Sequence, residues 1–305
     1  MRLLITGATG LLGLNLSLVA SARGHQVIGL SHSRKLSAIP FDLYQVDLLD
    51  TDRALTVIAD ARPEAIIHCA AQADINAAEK APEKTMALNR DVPARLAAIS
   101  SKWGIPYIYI SSDAVFDGQV GGYSELDPTN PLSLYARTKL AGEQAVQAAH
   151  PDAMIARVVF FGWSLSGKRS LSEFFFNNLQ SGQSVKGFTD TYFSPLYVED
   201  LADLLLDSLA ASLSGIYHLT SPQSLSKYEF GVRIARRFGF DTDLIEPVRA
   251  AETDRGVARS LTLTLHSDKA QAALGRPLPS VDEGIEKFYQ RWQDGYPGYL
   301  QSLAA

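Results

Sequence analysis

The sequence predicts an α/β fold, in which a doubly wound parallel sheet is covered by helices and accompanied by a smaller, mostly helical C-terminal lobe. Two observations favour this class. Short apolar segments alternate with helical stretches through the first half of the chain, and a glycine-rich turn joins the first such segment to a helix. Alternation of this kind is typical of parallel sheets, because each crossover between parallel strands needs room for a helix.

Seven segments are expected to form the strands of this sheet. The first six lie at residues 2–6, 26–30, 43–46, 65–69, 105–110 and 154–159, and the last at 215–219. After Arg157 the alternation weakens, and residues 160–197 carry many aromatic side chains. A helix is predicted to open near Val198, and an amphipathic helix is predicted over residues 281–292.

The glycine-rich turn follows the first strand directly. Gly7, Gly10 and Gly13 are evenly spaced, and the helical stretch 14–22 comes after them. The first glycine allows a tight turn, the second lets the backbone approach a pyrophosphate, and the third lets the helix pack closely on the strand. The amides at the helix N-terminus then face the anion. Strand, turn and helix in this order predict a Rossmann-type dinucleotide site.

Tyr135 and Lys139 form a second motif. Residues four apart on a helix lie on one face, so the two side chains point the same way. An ammonium beside a phenol favours the phenolate, so we expect Lys139 to lower the pKa of Tyr135. Such a phenol exchanges a proton with a carbonyl or alcohol oxygen, while Ser112 holds that oxygen by a hydrogen bond and a nicotinamide carries the hydride.

The spacing GxxGxxG with a later YxxxK resembles the extended branch of the short-chain dehydrogenase/reductases, the NAD-dependent epimerase/dehydratase superfamily. Residues 108–118 look like the end of the fifth strand in that branch, and Ser112 aligns with its catalytic hydroxyl. The resemblance implies an NAD(P)-dependent oxidoreductase with Ser112, Tyr135 and Lys139 as catalytic residues. It also implies the following cofactor contacts: Gly7, Thr9, Gly10, Leu11, Leu12, Gly13, Asp47, Leu48, Cys69, Ala70, Ala71, Tyr135 and Lys139.

The end of the second strand indicates which dinucleotide is preferred. A protein that binds NAD usually carries Asp or Glu about 20 residues beyond the glycines, where it contacts the ribose 2′-hydroxyl. This chain has Ser31 there, followed by Ser33 and Arg34. A hydroxyl and a cation suit a 2′-phosphate, so NADP(H) is favoured over NAD(H). An ordinary solvated loop is the alternative interpretation of Arg34 and Lys35.

Length, composition and charge agree with an enzyme of two unequal parts. The 305 residues are 46% hydrophobic. We expect residues 1–159 and 198–220 to bind NADP(H), and residues 160–197 and 221–305 to form the substrate-binding lobe. A net charge of −5 provides no basic surface for nucleic acid. The single cysteine and the lack of a long apolar run predict a cytoplasmic protein with no membrane segment, and the spacing of His, Cys and Asp predicts no metal site.

Within the extended branch, the chain is similar to dTDP-4-dehydrorhamnose reductases. Residues 73–83, 111–118 and 193–197 carry this similarity. It implies NADPH-dependent reduction of the 4-keto group of a nucleotide-linked deoxysugar, in carbohydrate biosynthesis, by a homodimer. It also implies four substrate contacts: Asn76, Ser112, Asp113 and Phe160.

Departures from that family leave other functions open. The chain has Asn76 and Ala77 where the family usually has Asp and Lys, Ala114 where it has tyrosine, and Phe160 where it has tryptophan. A sugar epimerase, or a reductase of a different carbonyl compound, is therefore an alternative. The chain also resembles the non-catalytic, NADP-binding regulatory subunit of methionine adenosyltransferase. The intact set of Ser112, Tyr135 and Lys139 favours catalysis.

Overall fold

The computed structural model describes residues 1–252 and 260–304, and it is organised around one large parallel sheet. Fourteen strands occur in this part of the chain: β1 (Arg2–Thr6), β2 (Gln26–Ser31), β3 (Asp42–Gln45), β4 (Ala65–His68), β5 (Tyr107–Ser112), β6 (Met154–Val158), β7 (Phe160–Phe161), β8 (Val185–Phe188), β9 (Tyr192–Phe193), β10 (Leu196–Tyr197), β11 (Gly215–Leu219), β12 (Leu225–Ser226), β13 (Ile245–Val248) and β14 (Thr262–Leu263).

Seven of these strands form the central sheet, in the order β11-β6-β5-β4-β1-β2-β3, and every pairing in it is parallel. All seven predicted strands are present, with bounds shifted by at most two residues. The order reverses between β1 and β4. At such a switch point, ligands bind outside the carboxyl ends of the strands. The predicted α/β fold of the Rossmann type is confirmed.

Twelve α-helices complete the described residues: α1 (Leu11–Ala22), α2 (Thr51–Ala61), α3 (Ile75–Lys80), α4 (Pro82–Met86), α5 (Val92–Trp103), α6 (Leu134–Ala149), α7 (Leu171–Gln180), α8 (Val198–Ala210), α9 (Lys227–Phe238), α10 (Asp268–Leu274), α11 (Val281–Gln293) and α12 (Tyr296–Ser302). A turn of π-helix, Ala87–Asp91, joins α4 to α5. Helix α1 thus begins three residues before the predicted stretch, directly after the second glycine of the loop.

The core lies in two layers, one on each side of the sheet. Leu3 and Ile5 of β1 pack into one layer, and Leu4 packs into the other, because successive side chains of a strand point to opposite faces. Helices α1 and α8 pack against each other and cover the face of the sheet that carries Leu3 and Ile5. Helices α5 and α6 pack against each other and cover the opposite face. Leu3, Ile5 and Leu4 are fully buried.

Three small sheets lie outside the central one, in the orders β10-β7, β12-β9-β14 and β13-β8. Most of their strands are two residues long, too short to show an alternating pattern in the sequence, and they were not predicted. The predicted helices here are present as α8 and α11. Ion pairs join these two helices, from Arg291 to Glu199 and from Lys287 to Asp200.

None of the helices in residues 1–252 and 260–304 combines the length and the apolar character needed to cross a membrane. Over the same residues, no group of three or more His, Cys, Asp and Glu side chains is placed to hold a metal ion.

A buried ion pair links α6 to the central sheet. Arg157 of β6 donates to both carboxylate oxygens of Glu143, over 3.0 and 2.9 Å. Ser111 of β5 donates to the same carboxylate over 2.5 Å. Both charged side chains are 3% exposed or less. Because the charges are matched and hydrogen-bonded, the pair is tolerated inside the core, and loss of one partner would leave an uncompensated charge.

Replacing Arg157 by Met should therefore lower the free energy of unfolding by about 3–5 kcal/mol, because Glu143 is left buried without its partner. Urea denaturation of wild type and variant measures this loss. Arg233→Met is the matched control, since its partner Asp282 is 60% exposed and such surface pairs contribute at most about 1 kcal/mol. Equal losses in the two variants would contradict a structural role for the buried pair.

Candidate active site

The glycine loop after β1 has the shape that a phosphate-binding turn needs. Gly7 has a φ of 67°, in the left-handed region that glycine adopts without strain. A Cβ at Gly13 would lie 2.2 Å from the Gly7 carbonyl oxygen, so no side chain fits there. Helix α1 begins at Leu11, and its N-cap Gly10 has no side chain to satisfy the first amides. These amides are available to an anion, so the loop fits the pyrophosphate of a dinucleotide.

A cleft of about 710 Å³ opens at the carboxyl edge of the sheet, beside this loop. It brings the two sequence motifs together. Most of the predicted site residues line it: Gly7, Gly10, Leu11, Leu12, Gly13, Cys69, Ala71, Ser112, Asp113, Tyr135, Lys139 and Phe160.

A second cavity of about 320 Å³ adjoins the cleft and is lined largely by apolar side chains, together with Thr191 and Lys227. Ser112 and Tyr135 line both the cleft and this cavity, whereas Lys139 lines the cleft alone. Six residues are shared by the two linings: Ser112, Asp113, Tyr135, Val159, Phe160 and Leu171. Ser112 and Tyr135, the two hydroxyl-bearing residues of the predicted catalytic set, thus lie where the cleft meets the second cavity.

Lys139 is buried, 2% exposed, and is held by the backbone of β5. Its Nζ donates to the Ile110 carbonyl oxygen over 2.7 Å and lies 4.0 Å from the centre of the Tyr109 ring. Burial lowers the pKa of Lys139 to about 7, because removal from water disfavours the charged form, and the negative charge of Glu143 only partly opposes this shift.

The structure corrects the expected influence of Lys139 on Tyr135. Burial raises the pKa of Tyr135 to about 12 instead of lowering it. The neighbouring Ser112 hydroxyl opposes this rise, and the Asp113 carboxylate adds to it. The largest cause is removal of the phenol from water, which disfavours the phenolate, and Lys139 Nζ donates to the Ile110 carbonyl oxygen. The phenol of Tyr135 is accordingly protonated at neutral pH.

Ser112 and Asp113 are linked to each other. The Ser112 hydroxyl donates to Asp113 Oδ1 over 2.9 Å and accepts from the Ala114 amide over 3.2 Å. Burial raises the pKa of Asp113 to about 6, against the opposing effects of the Ser112 hydrogen bond and the Lys227 charge. In this arrangement the proton of the Ser112 hydroxyl points to Asp113, so it must turn in order to reach a substrate oxygen.

Some predicted site residues lie outside the cleft lining: Thr9, Ser31, Ser33, Arg34, Asp47, Leu48, Ala70 and Asn76. The Ser31 hydroxyl is buried and donates to the Arg34 carbonyl oxygen over 2.7 Å, so it shapes the turn after β2. Ser33 and Arg34 are exposed in that turn. Asp47 lies close by, where its Oδ2 is 3.5 Å from His32 Nε2. Ser31, Ser33, Arg34 and Asp47 thus form a separate cluster at the ends of β2 and β3.

Asn76, predicted to contact the substrate, is exposed on α3 and lines neither space. Its neighbour Ile75 lines the second cavity instead. Phe160, by contrast, lies between the cleft and the cavity as a residue of both linings.

The structure also adds residues that the sequence did not single out. Lys168 and Arg169 line the cleft, although their only signal in the sequence is a short basic pair in a loop. Lys227 and Ser260 line the second cavity from segments far along the chain. No spacing rule links them to the catalytic residues, because only the folded chain brings them together.

Comparison with known families agrees with this geometry. A family model described as the RmlD substrate-binding domain matches residues 1–294. The chain belongs to this family. The predicted resemblance to extended short-chain dehydrogenase/reductases close to dTDP-4-dehydrorhamnose reductases is thereby confirmed, and with it the expectation of an NAD(P)-dependent oxidoreductase.

Individual relatives cover nearly the whole chain. A probable low-salt glycan biosynthesis reductase of Haloferax volcanii is 33% identical over 296 residues, which are 95% of this chain and 98% of the relative. A dTDP-4-dehydrorhamnose reductase of Mycobacterium tuberculosis is 33% identical and covers 91% of this chain and 88% of its own. The methionine adenosyltransferase 2 subunit beta of Bos taurus is also 33% identical, over 81% of this chain and 75% of its own.

Among solved structures, a dTDP-4-dehydrorhamnose reductase of Bacillus anthracis in complex with NADP superposes with a TM-score of 0.81. It is 27% identical and covers 95% of this chain and 99% of its own.

The depressed pKa of Lys139 makes stability depend on pH. The lysine pKa is about 7 in the folded protein and about 10.4 in an unfolded chain. Between these values the unfolded state binds more protons, so the contribution of Lys139 to the free energy of unfolding rises with pH and is lost as pH falls toward 7. Lys139→Met should remove this rise.

Urea denaturation at several pH values between 7 and 10 measures the free energy of unfolding of wild type and of Lys139→Met. The wild-type value minus the variant value should rise with pH. Lys102→Met, at an exposed position of α5, should leave the profile unchanged. Parallel profiles of wild type and Lys139→Met would mean that Lys139 is not held in its neutral form.

Proposed function

We propose that the protein catalyses the NADPH-dependent reduction of a keto group, and that its substrate is a nucleotide-linked deoxysugar reduced at the 4-keto position. The observation that carries this proposal is the placement of Ser112 and Tyr135 in the lining of both the cleft and the second cavity. A group that exchanges a proton with the substrate while the cofactor reacts has to reach both spaces. The reductases among the relatives support the reaction class.

In the proposed reaction, each predicted catalytic residue has a distinct task. Tyr135 is the general acid, because its phenol carries a proton at neutral pH that it can donate to the substrate oxygen. Ser112 turns its hydroxyl from Asp113 to the substrate oxygen and orients it. Lys139 holds the nicotinamide ribose and stabilises the phenolate that forms at Tyr135 Oη once the proton has left. A bound nicotinamide supplies the hydride.

The two spaces are proposed to hold different molecules. The cleft, with the glycine loop, holds the dinucleotide, through the predicted cofactor contacts that line it and the cluster at the ends of β2 and β3. The second cavity holds the sugar, in contact with Asp113 and Phe160. We further propose the division into a cofactor domain (1–159 and 198–220) and a substrate lobe (160–197 and 221–305). A homodimer, a cytoplasmic location and the absence of nucleic-acid partners stay predictions.

NADP(H) is proposed as the preferred cofactor. The support is the absence of a carboxylate at position 31 and the exposure of Ser33 and Arg34 in the turn after β2. The NADP complex of the Bacillus anthracis reductase also supports binding of this cofactor.

A regulatory role is the second candidate, favoured by the similarity to methionine adenosyltransferase 2 subunit beta. The two candidates differ in turnover. The purified protein should oxidise NADPH when it is offered dTDP-linked 4-keto sugars, in a panel that also contains other nucleotide-linked and free carbonyl compounds. Tight NADP binding without turnover of any compound would favour the regulatory role, and turnover of a different carbonyl compound alone would refute the proposed substrate.

Tyr135→Phe tests the general acid. The variant keeps the ring and loses the hydroxyl, so kcat should fall by about 10²–10⁴-fold while the Kd for NADPH is nearly unchanged. Lys139→Met should impair both kcat and Kd, since that ammonium is proposed to serve the phenolate and the ribose. Tyr44→Phe, on an exposed side chain of β3, is the control and should behave as wild type. Full activity of Tyr135→Phe on a confirmed substrate would refute the mechanism.

Arg34→Ala tests the cofactor preference. Wild type should bind NADPH more tightly than NADH, and the variant should lose NADPH affinity selectively, by an amount on the order of 1.5–3 kcal/mol for a charged hydrogen bond. Fluorescence titration with both cofactors measures the two Kd values. Arg53→Ala, at an exposed position of α2, should change neither. A wild-type preference for NADH, or an equal loss for both cofactors, contradicts the assignment.

A further inference from the structure

Lys168 and Arg169 are two cations in the cleft that the proposed reaction does not use. They lie in the loop between β7 and α7, and they line the same cleft as Gly7 and Gly10. Both side chains are exposed. Within residues 1–252 and 260–304, neither side chain has an ion pair or a hydrogen bond to a protein group. Their charges are therefore open to a ligand in the cleft.

The loop that carries them is firmly anchored. Glu173, fully buried in the first turn of α7, accepts hydrogen bonds from the Ser164 amide over 2.6 Å and the Arg169 amide over 2.8 Å. The Ser170 hydroxyl donates to the Gly162 carbonyl oxygen over 2.7 Å, and Asn177 donates to the Gly167 carbonyl oxygen over the same distance. These bonds fix the backbone of the loop, so binding of a ligand would need to order only the two side chains.

Electrostatics at this position favour an anion. Lys168 and Arg169 directly precede the N-terminus of α7, and the Glu173 carboxylate in its first turn already accepts hydrogen bonds from the backbone amides of Arg169 and Ser170. Two carboxylates line the cleft, and both are engaged. Asp74 accepts from the Ala77 amide at the start of α3, and Asp113 accepts from Ser112. Neither carboxylate forms an ion pair with Lys168 or Arg169, so both cations can bind a polyanion in the cleft.

We propose that Lys168 and Arg169 bind the pyrophosphate of the dinucleotide, together with the glycine loop. This inference rests on the proposed cofactor. The pyrophosphate is preferred over a diphosphate of the substrate because both cations line the cleft and neither lines the second cavity, where Lys227 is the lining cation. It is preferred over the 2′-phosphate because Ser33 and Arg34 lie outside the cleft lining.

The test compares Lys168→Gln, Arg169→Gln and the double variant with wild type, by fluorescence titration with NADPH and with NADH. Each single variant should raise Kd by at least about fivefold and the double variant by more, because charge-assisted contacts to phosphate are lost. The loss should be equal for the two cofactors, since both carry the pyrophosphate. Added salt should weaken wild type more than the double variant. Lys102→Gln, on an exposed residue of α5, is the control.

Four outcomes would overturn the inference. Unchanged Kd values in the double variant would show that the cations do not contact the cofactor, while the proposed cofactor stands. A loss confined to NADPH would assign them to the 2′-phosphate, and a higher KM for the sugar with unchanged cofactor Kd would assign them to the substrate. If wild type binds neither NADPH nor NADH, the proposed function itself fails, and this inference fails with it.

Discussion

The close approach of α6 to β5 is the contact on which the site depends. A Cβ at Gly142 would lie 2.3 Å from both the Asn89 carbonyl oxygen and the Tyr109 hydroxyl oxygen, so only glycine lets α6 come this near to the π-helical turn and the Tyr109 side chain of β5. Tyr135, Lys139 and Glu143 follow one another at intervals of one turn along α6, on the face turned to the sheet. The Tyr135 phenol is thus placed by the same contact that buries the ion pair of Glu143 and Arg157 in the core.

Much of the fold and part of the site follow from local spacing. The glycine loop and the interval between Tyr135 and Lys139 depend on residues close together in the chain, and the backbone of one turn or one helix face is enough to position them. The environment of Lys139 could not be predicted in this way. Its bond to the Ile110 carbonyl and its burial arise when α6 packs on β5, and this packing reverses the expected direction of the Tyr135 pKa shift.

The remaining site residues escaped prediction for a different reason. Lys227 and Ser260 reach the second cavity from segments that follow the last strand of the central sheet, and no periodic pattern connects them to the catalytic motif. The small sheets that position such segments have strands too short to show alternation. Asn76, matched to the substrate site by resemblance, is exposed on α3 beside Ile75 of the cavity lining, and its contact with substrate stays a prediction.

One side of the second cavity is lined by residues at the ends of central strands. The other side is lined by short strands and loops that lie outside the central sheet. Substitutions on the outer side can accumulate without disturbing the parallel strands or the glycine turn. Under the proposed assignment of the second cavity to the substrate, such substitutions change which molecule fits while the glycine turn is kept. Two relatives, each 33% identical to this chain, carry the names of a reductase and of a methionine adenosyltransferase subunit. Variation on the outer side of the second cavity is compatible with both names on one fold.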